Sequence, residues 1–163
     1  MKIIFLDIDG VLNSRKYDAE RDWGKLTNID ETRLPLVKEI VDRSGARIVL
    51  SSTWRVDWDT DPAKCAVEGR YINDTFARYG LAVFDKTPDL GVYASRADEV
   101  NAWLDAHDGI ESFVIIDDDG FGWGRLSERL VKTSMYIGRG LERRHVDAAL
   151  EILNKTGGSD GRA

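Results

Sequence analysis

Two carboxylates two residues apart, Asp7 and Asp9, follow the first apolar segment of the chain and stand directly before Gly10. Glycine permits the backbone to turn out of a sheet at this point, so both acids can face one small volume. Like charges this close favour a neutralising cation, and carboxylate oxygens are suitable ligands for Mg²⁺. The alternative is an ordinary solvated turn rich in Asp and Gly.

A second acidic group, Asp117, Asp118 and Asp119, follows another apolar segment and precedes Gly120. Acids at the end of a buried strand are costly unless a cation neutralises them. The spacing therefore predicts a second part of the same metal site, with Asp119 more typical of a residue that caps the next turn.

Hydroxyl side chains mark a third position, where Ser51 and Ser52 follow the apolar run Arg47–Leu50. Hydroxyls and free N–H groups at the carboxyl end of a strand can bind phosphate oxygens, although they can equally cap the following turn. The next residues offer Trp54, which could stack on a base, and Arg55, which could form a fork to a substrate phosphate. Local packing is an equally good explanation for both.

Five short apolar runs are predicted to form strands, and helical periodicity or capping signals fill the intervals. The predicted strands are 2–6, 47–50, 81–84, 112–116 and 130–133. The predicted helices are 31–44, 62–79, 96–107 and 142–153, with 14–25 as a loop or small flap and 85–94 as a loop. This alternation predicts an α/β fold, a three-layer α/β/α Rossmann-like arrangement around a parallel sheet. The carboxyl ends of its strands would bring the acids and hydroxyls together.

The ordered motifs resemble the haloacid dehalogenase (HAD) superfamily, whose first motif is an apolar strand followed by Asp-x-Asp-Gly-Thr/Val. Here that motif occupies 7–11, and the chain adds Leu-Ser-Ser-Thr-Trp-Arg at 50–55, Arg-x-x-Glu-Val-x-x-Trp-Leu at 96–104 and Ile-Ile-Asp-Asp-Asp at 115–119. Together with the Leu-Asp-Ile-Asp-Gly-Val-Leu-Asn start at 6–13, these motifs are similar to the HAD phosphatase domain of Swiss-army-knife RNA repair proteins, mainly through residues 51–55 and 96–104. The resemblance covers about residues 2–153.

The resemblance implies a Mg²⁺-dependent phosphatase that forms an aspartyl-phosphate on Asp7, with Asp9 as general acid and base. Ser51 would hold the transferring phosphoryl group, and Ser52 would be a second contact. The catalytic cation expected at the start of the third motif, usually Lys, would be Arg96, which can supply the same charge as a planar fork.

The ligand set implied for Mg²⁺ is Asp7, the Asp9 carbonyl and Asp118, with Asp117 as a further or water-mediated partner. Lys86, in the preceding loop, is the alternative to the arginine at 96 as the motif cation. A helix already occupies most of the interval between the first two motifs, so the cap domain is expected to be minimal or absent.

Composition indicates one domain at residues 1–155, followed by a Gly- and Ser-rich tail at 156–163 that is predicted to be disordered. The net charge of −6 argues against binding polyanions over the whole surface, although basic clusters could form a local rim. No run reaches the ~20 apolar residues of a membrane span, and Met1 leads almost directly into the first strand. We therefore expect a cytoplasmic protein.

Several side chains are predicted to be structural. Cys65, the single cysteine, excludes an intramolecular disulfide and is expected to be buried. His107 and His145 are predicted to be surface residues on helices. The aromatic segment 121–124 could be a lid over the substrate or could pack locally.

The substrate stays open: ends of RNA or DNA, nucleotides, a phosphoprotein or small metabolites are all compatible. Three other functions share some of the motifs, namely a true dehalogenase, a receiver-like phospho-acceptor and a catalytically silent binding domain. The acid at Asp9 has no use in halide displacement, and the Asp-x-Asp spacing is unlike a receiver. The sequence indicates no oligomeric state.

Overall fold

A computed structural model describes residues 1–20 and 29–155 of the chain. In this part, five strands alternate with five α-helices and several short 3₁₀ helices. Their order is β1 Lys2–Leu6, α1 Arg15–Ala19, α2 Leu34–Ser44, β2 Arg47–Leu50, α3 Val67–Ala77, β3 Val83–Lys86, α4 Arg96–Asp105, β4 Ser112–Asp117, β5 Leu130–Lys132 and α5 Arg143–Asn154. The end of the predicted flap at 14–25 and the predicted disordered tail at 156–163 lie outside the described residues.

All five strands are parallel, in the order β3-β2-β1-β4-β5, so β1 is central. The chain first adds β2 and β3 on one side of β1 and then crosses to the other side for β4 and β5. Such a reversal opens a crevice at the carboxyl ends of the strands, where α/β proteins bind ligands.

Two layers of helices cover the sheet, which confirms the predicted three-layer α/β/α fold. Helices α2, α3 and α5 pack with Ile4 and Leu6 on one face of β1. Helix α4 packs on the other face through Val100 and Trp103, against Ile3 and Phe5. Because alternate residues of β1 face opposite layers and the four residues from Ile3 to Leu6 are all buried, the near-continuous apolar sequence of the strand is explained.

Some element boundaries differ from the predictions. The predicted helix 31–44 begins as a 3₁₀ turn, Glu31–Arg33, capped by Asp30, and becomes α-helical at Leu34 next to a proline. It ends at Gly45, whose φ of +70° suits glycine. The predicted loop at 14–25 contains the short helix α1, with Ser14 as its N-cap, and the third strand lies two residues later than predicted.

The prediction of one helix over 62–79 is wrong. A 3₁₀ turn at Pro62–Lys64 is separated from α3 by Cys65 and Ala66, both of which have extended ψ angles. The break allows the Ala66 N–H to donate to the Asp57 carbonyl at 2.8 Å. Cys65 is buried as expected.

Helix α3 packs tightly against the 3₁₀ helix Thr53–Asp57 that follows β2. A Cβ atom on Gly69 would lie 2.1 Å from the Asp57 carbonyl oxygen, so only glycine allows this approach. Val67, in the first turn of the helix, is 67% exposed.

Neither histidine is simply a surface residue, contrary to the prediction. His145 is buried, and its Nδ1 accepts the Glu142 N–H at 2.9 Å, which caps α5. His107 is partly buried because its ring stacks on Trp103 with the centroids 3.8 Å apart. Among the described residues, no helix is long and apolar enough to cross a membrane.

Candidate active site

The predicted chemical residues lie at the carboxyl edge of the three central strands. Asp7 follows β1 and its N–H donates to the Ile116 carbonyl at 3.0 Å. Ser51 follows β2 and its N–H donates to the Leu6 carbonyl at 3.1 Å. Since Asp117 ends β4, the sheet ladder itself places the first, second and fourth motifs side by side.

The acid cluster consists of Asp7, Asp117 and Asp118, which place three carboxylate oxygens within 4.8 Å of one another. The first two are buried, and the third is half-buried. Gly10, with a φ of +72°, makes the approach possible, because a Cβ atom there would lie 2.3 Å from the Asp118 Cγ. Three hard oxygen donors with excess negative charge fit Mg²⁺.

Arg96 is the cation that reaches this cluster. Its Nη1 forms an ion pair with Asp7 Oδ1 at 3.0 Å and donates a hydrogen bond to Asp117 Oδ2 at 3.1 Å. A capping box between Ser95 and Asp98 fixes the start of α4, and so the origin of the Arg96 side chain. About a quarter of the Arg96 side chain remains exposed.

The electrostatics reflect one cation among three acids. Burial raises the pKa of Asp7 against the opposing effect of Arg96, and burial followed by the Asp7 charge raises that of Asp118. The same two causes raise the pKa of Asp117 to about 7. Burial opposes the charge on Arg96, but the carboxylates of Asp7 and Asp117 outweigh it and raise its pKa. A further positive charge would relieve the remaining repulsion.

Asp9 stands apart from the acid cluster and is held by two donors. Asn13 Nδ2 donates to its Oδ1 at 2.8 Å, and Trp54 Nε1 donates to its Oδ2 at 3.0 Å. Asn13 also accepts the Gly10 N–H at 2.9 Å, so one side chain shapes the turn and orients the acid. The Trp54 ring packs against the core and its indole N–H donates to Asp9, contacts that favour the local-packing alternative.

The two serines differ in their contacts. The Ser51 hydroxyl is fully buried and has no hydrogen-bond partner among the described residues. Ser52 contacts the Asp7 carboxylate, and its hydroxyl accepts the backbone N–H of Trp54 at 3.4 Å. A buried hydroxyl without a hydrogen-bond partner costs about 1–3 kcal/mol. Ser51 therefore offers an unused hydrogen-bonding group beside the acid cluster.

Arg55 corresponds to the packing alternative rather than to a phosphate fork. It is buried, and its Nη2 lies 2.5 Å from Glu99 Oε1, while Nη1 donates to the Ser52 carbonyl at 3.0 Å. Lys86 does not reach the acid cluster, because its Nζ donates to the carbonyls of Arg55 and Trp58.

Sequence reasoning missed several residues that support the site. Asn13 carried a usable signal, since it follows the first motif within the same turn. Glu99 and Thr133 carried none. Thr133 joins the two acidic loops, because its Oγ1 donates to the Gly10 carbonyl at 2.8 Å and its N–H donates to the Asp117 carbonyl at 2.9 Å.

In the aromatic segment after the acid cluster, one ring packs locally and the other is exposed. Trp123 is buried, and its Nε1 donates to the Asp119 carbonyl at 2.8 Å. Phe121 is 85% exposed, and its N–H donates to Asp119 Oδ1 at 2.9 Å, which confirms Asp119 as a turn cap.

A parallel sheet between two layers of helices, with an acid cluster at the switch point between β1 and β4, is typical of HAD-like domains. The family described as the HAD domain in Swiss Army Knife RNA repair proteins matches residues 3–146. The chain belongs to that family, and HAD domains are generally phosphohydrolases. Neither a curated protein nor a solved structure shows significant similarity to the chain.

Proposed function

We propose that the protein is a Mg²⁺-dependent phosphomonoester hydrolase that acts through an aspartyl-phosphate on nucleic-acid ends or nucleotides. The observation that carries the proposal is the cluster of Asp7, Asp117 and Asp118 around a single cation, Arg96, at the carboxyl edge of the sheet. A buried nucleophile, a cation site and a charged donor for phosphate oxygens are thereby combined in one crevice.

The residues that would hold Mg²⁺ are Asp7, Asp118 and the backbone carbonyl of Asp9, with Asp117 as a water-mediated partner. When bound, the ion would neutralise charge on the phosphoryl oxygens. We expect activity to require the ion because one arginine faces three carboxylates, which leaves the cluster with excess negative charge.

Two steps on this chain's own residues account for hydrolysis. Asp7 attacks phosphorus, and the bond to the leaving oxygen breaks while Asp9 donates a proton to that oxygen. Asp9, now a carboxylate, takes a proton from water, whose oxygen attacks phosphorus and releases Asp7 and inorganic phosphate. Trp54 and Asn13 support this role because they hold both Asp9 oxygens in one orientation.

Phosphate recognition falls to Ser51, Ser52 and Arg96. The Ser51 hydroxyl, which has no partner among the described residues, is suited to donate to a phosphoryl oxygen, and the exposed part of the Arg96 side chain can pair with another. The transferring group would thus supply the partner that Ser51 lacks.

The nucleic-acid substrate is inferred from the family, whose description refers to RNA repair. Access favours a large substrate, because the described residues between the first motif and β2 form α1, one 3₁₀ turn and α2 rather than a cap domain. A phosphoprotein or a small metabolite is the alternative substrate, and a cytoplasmic location is part of this proposal.

A receiver-like phospho-acceptor is the competing function. Such a module would form the acyl-phosphate without needing the oriented acid at Asp9. A phosphorylated Asp7 that accumulates in the wild-type protein and does not turn over would favour it.

The test is release of phosphate from a generic aryl phosphate with Mg²⁺ by wild-type protein and by Asp7→Asn. We expect the variant to lose all turnover because an amide cannot form the acyl-phosphate. Asp108→Asn, the same change at an exposed loop residue, is the matched control and should retain turnover. Undiminished hydrolysis by Asp7→Asn, purified free of host phosphatases, would overturn the mechanism. Terminally 3′- and 5′-phosphorylated RNA and DNA, free nucleotides and a phosphopeptide are then compared as substrates.

A further inference from the structure

Two exposed aromatic rings border the acid cluster on the side of β4 and β5. Phe121 is 85% exposed and Tyr136 is 76% exposed. Both belong to loops next to the cluster: Phe121 follows Asp118 by three residues and its N–H donates to Asp119 Oδ1, and the N–H of Met135, next to Tyr136, contacts the Asp118 carboxylate. Both rings are therefore exposed near the candidate site rather than packed in the core.

A lysine lies near the first of these rings. Lys132 ends β5, and its Nζ is 5.7 Å from the centroid of the Phe121 ring. The side chain passes close over Gly120, where a Cβ atom would lie 2.6 Å from that Nζ. No ion pair to a carboxylate occupies Lys132 among the described residues. Glycine at 120 thus permits a cation to lie across the aromatic loop.

Exposed aromatic residues interleaved with a cation have a specific physical use. Scattered exposed apolar residues are common, but several at the mouth of one site usually mark a binding surface. Proteins that bind single strands stack successive bases on aromatic rings and pair the backbone phosphates with cations. Phe121 and Tyr136 offer rings on which bases can stack, and Lys132 offers a cation for a backbone phosphate.

We propose that Phe121, Lys132 and Tyr136, here called the aromatic rim, bind the nucleotides next to a terminal phosphate of single-stranded nucleic acid. The two rings stack on bases, and Lys132 contacts the phosphate between nucleotides. The inference rests on the proposed function, because it takes the terminal phosphate to lie at Asp7. It names the residues that would distinguish an oligonucleotide from a small phosphate ester.

The test measures binding, with Asp7→Asn as the common background and Mg²⁺ present. A single-stranded RNA hexamer, phosphorylated at its 3′ or 5′ end and labelled at the other, is titrated by fluorescence anisotropy. Phe121→Ala and Tyr136→Ala should each weaken binding about fivefold or more, as expected for loss of one stacked base. Lys132→Ala should also weaken binding and lower the slope of log K against log salt by about 0.7.

Phe84→Ala is the matched control, because this ring is exposed on the edge strand β3 beneath Arg47, away from the aromatic rim. It should bind the hexamer as the background protein does. A hexamer with abasic sites next to the phosphate should bind alike to the background and to the two ring variants.

Two results would overturn the inference. One is unchanged hexamer affinity in both ring variants, and the other is tighter binding of a phosphopeptide than of the hexamer. Aryl phosphate turnover by the wild-type protein tests the proposed function separately, so failure of the catalytic mechanism and failure of the aromatic rim give different results.

Discussion

Two arginines of this protein, Arg55 and Arg96, both pair with carboxylates but in opposite circumstances. Arg55 forms a one-to-one pair with Glu99, and both side chains are at least 90% buried. Arg96 faces Asp7 and Asp117 with 27% of its side chain exposed, and Asp118 adds a third carboxylate to the same cluster. One region is balanced and closed, whereas the other is unbalanced and open.

The difference separates a structural ion pair from a site that can accept a ligand. A balanced buried pair satisfies its own charges and has little affinity for a further ion. In the acid cluster, burial raises the pKa values of all three acids, and the Asp7 charge raises those of Asp117 and Asp118 further. That arrangement persists at a cost that a bound cation would reduce.

The largest expected effect is on stability, in the balanced pair. Arg55→Ala leaves Glu99 buried and unpaired, which should lower the free energy of unfolding by about 3–5 kcal/mol. Chemical denaturation at pH 7 measures the change. Arg78→Ala removes an exposed pair with Glu31 and should change the free energy of unfolding far less, because solvent screens an exposed pair.

A double variant, Arg55→Met with Glu99→Leu, sharpens this prediction. It replaces both charges with apolar side chains, so it should recover much of the lost stability. A double variant as unstable as Arg55→Ala would instead assign the cost to lost packing and hydrogen bonds.

The next effect is on turnover, in the unbalanced region. Arg96→Ala should lower aryl phosphate hydrolysis about 10²–10³-fold with a near-normal thermal midpoint, because the residue stabilises charge at the phosphoryl group. Arg96→Lys should recover part of the activity, since a point charge cannot reproduce a planar fork. If Lys86→Ala were inactive and Arg96→Ala fully active, the motif cation would be Lys86 rather than Arg96.

A smaller effect is expected on the cation requirement. Asp118→Ala would remove one of the few ligands proposed for Mg²⁺, so the Mg²⁺ concentration for half-maximal turnover should rise at least about tenfold. Glu99→Gln, in the balanced pair, should leave that concentration unchanged. A Mg²⁺ titration unaffected by Asp118→Ala would move the ligand to Asp117.

The smallest expected effect is on the pH dependence of stability, and it concerns His145, a buried group that is held neutral. Burial, and then the charge of Arg144, lower the pKa of His145, whose Nδ1 accepts the capping N–H of Glu142. Above pH 7 both folded and unfolded states are neutral there. As pH falls through about 6.5, the unfolded state takes up a proton first, so stability decreases until the folded pKa is passed.

His145→Gln keeps an acceptor for the cap and cannot titrate. It should match the wild-type protein at pH 8 and be more stable than the wild-type protein at pH 5. Thermal midpoints at the two pH values measure this difference. Parallel loss of stability in both proteins would assign the acid sensitivity to other groups.

The fold was predictable because its signals are local. Strand β1 is apolar throughout and is followed by acids and glycine, and Ser95 and Gly45 mark helix ends with well-understood backbone chemistry. Positions of the acids followed from the parallel sheet alone, since its carboxyl ends share one edge. No such rule applied to the break at Cys65 and Ala66, which depends on a hydrogen bond to a distant carbonyl.

Side-chain partners were the least predictable part of the site. An arginine after the serine motif can bind phosphate or pack, and the choice depends on Glu99, 44 residues further along the chain. Likewise, Trp54 donates to Asp9 across 45 residues of sequence. His145 was mistaken for a surface residue because capping by a histidine leaves no pattern that differs from an exposed helical position.

The contact at Gly69 links a remote helix to the chemistry. Helix α3 rests on the carbonyl of Asp57, at the end of the same short turn that begins at Thr53 and carries Trp54. A methyl group there would act as a wedge, pushing the turn and with it the indole that orients Asp9. Gly69→Ala is therefore a rational choice for a temperature-sensitive allele, one that disables the protein without altering any residue of its catalytic crevice.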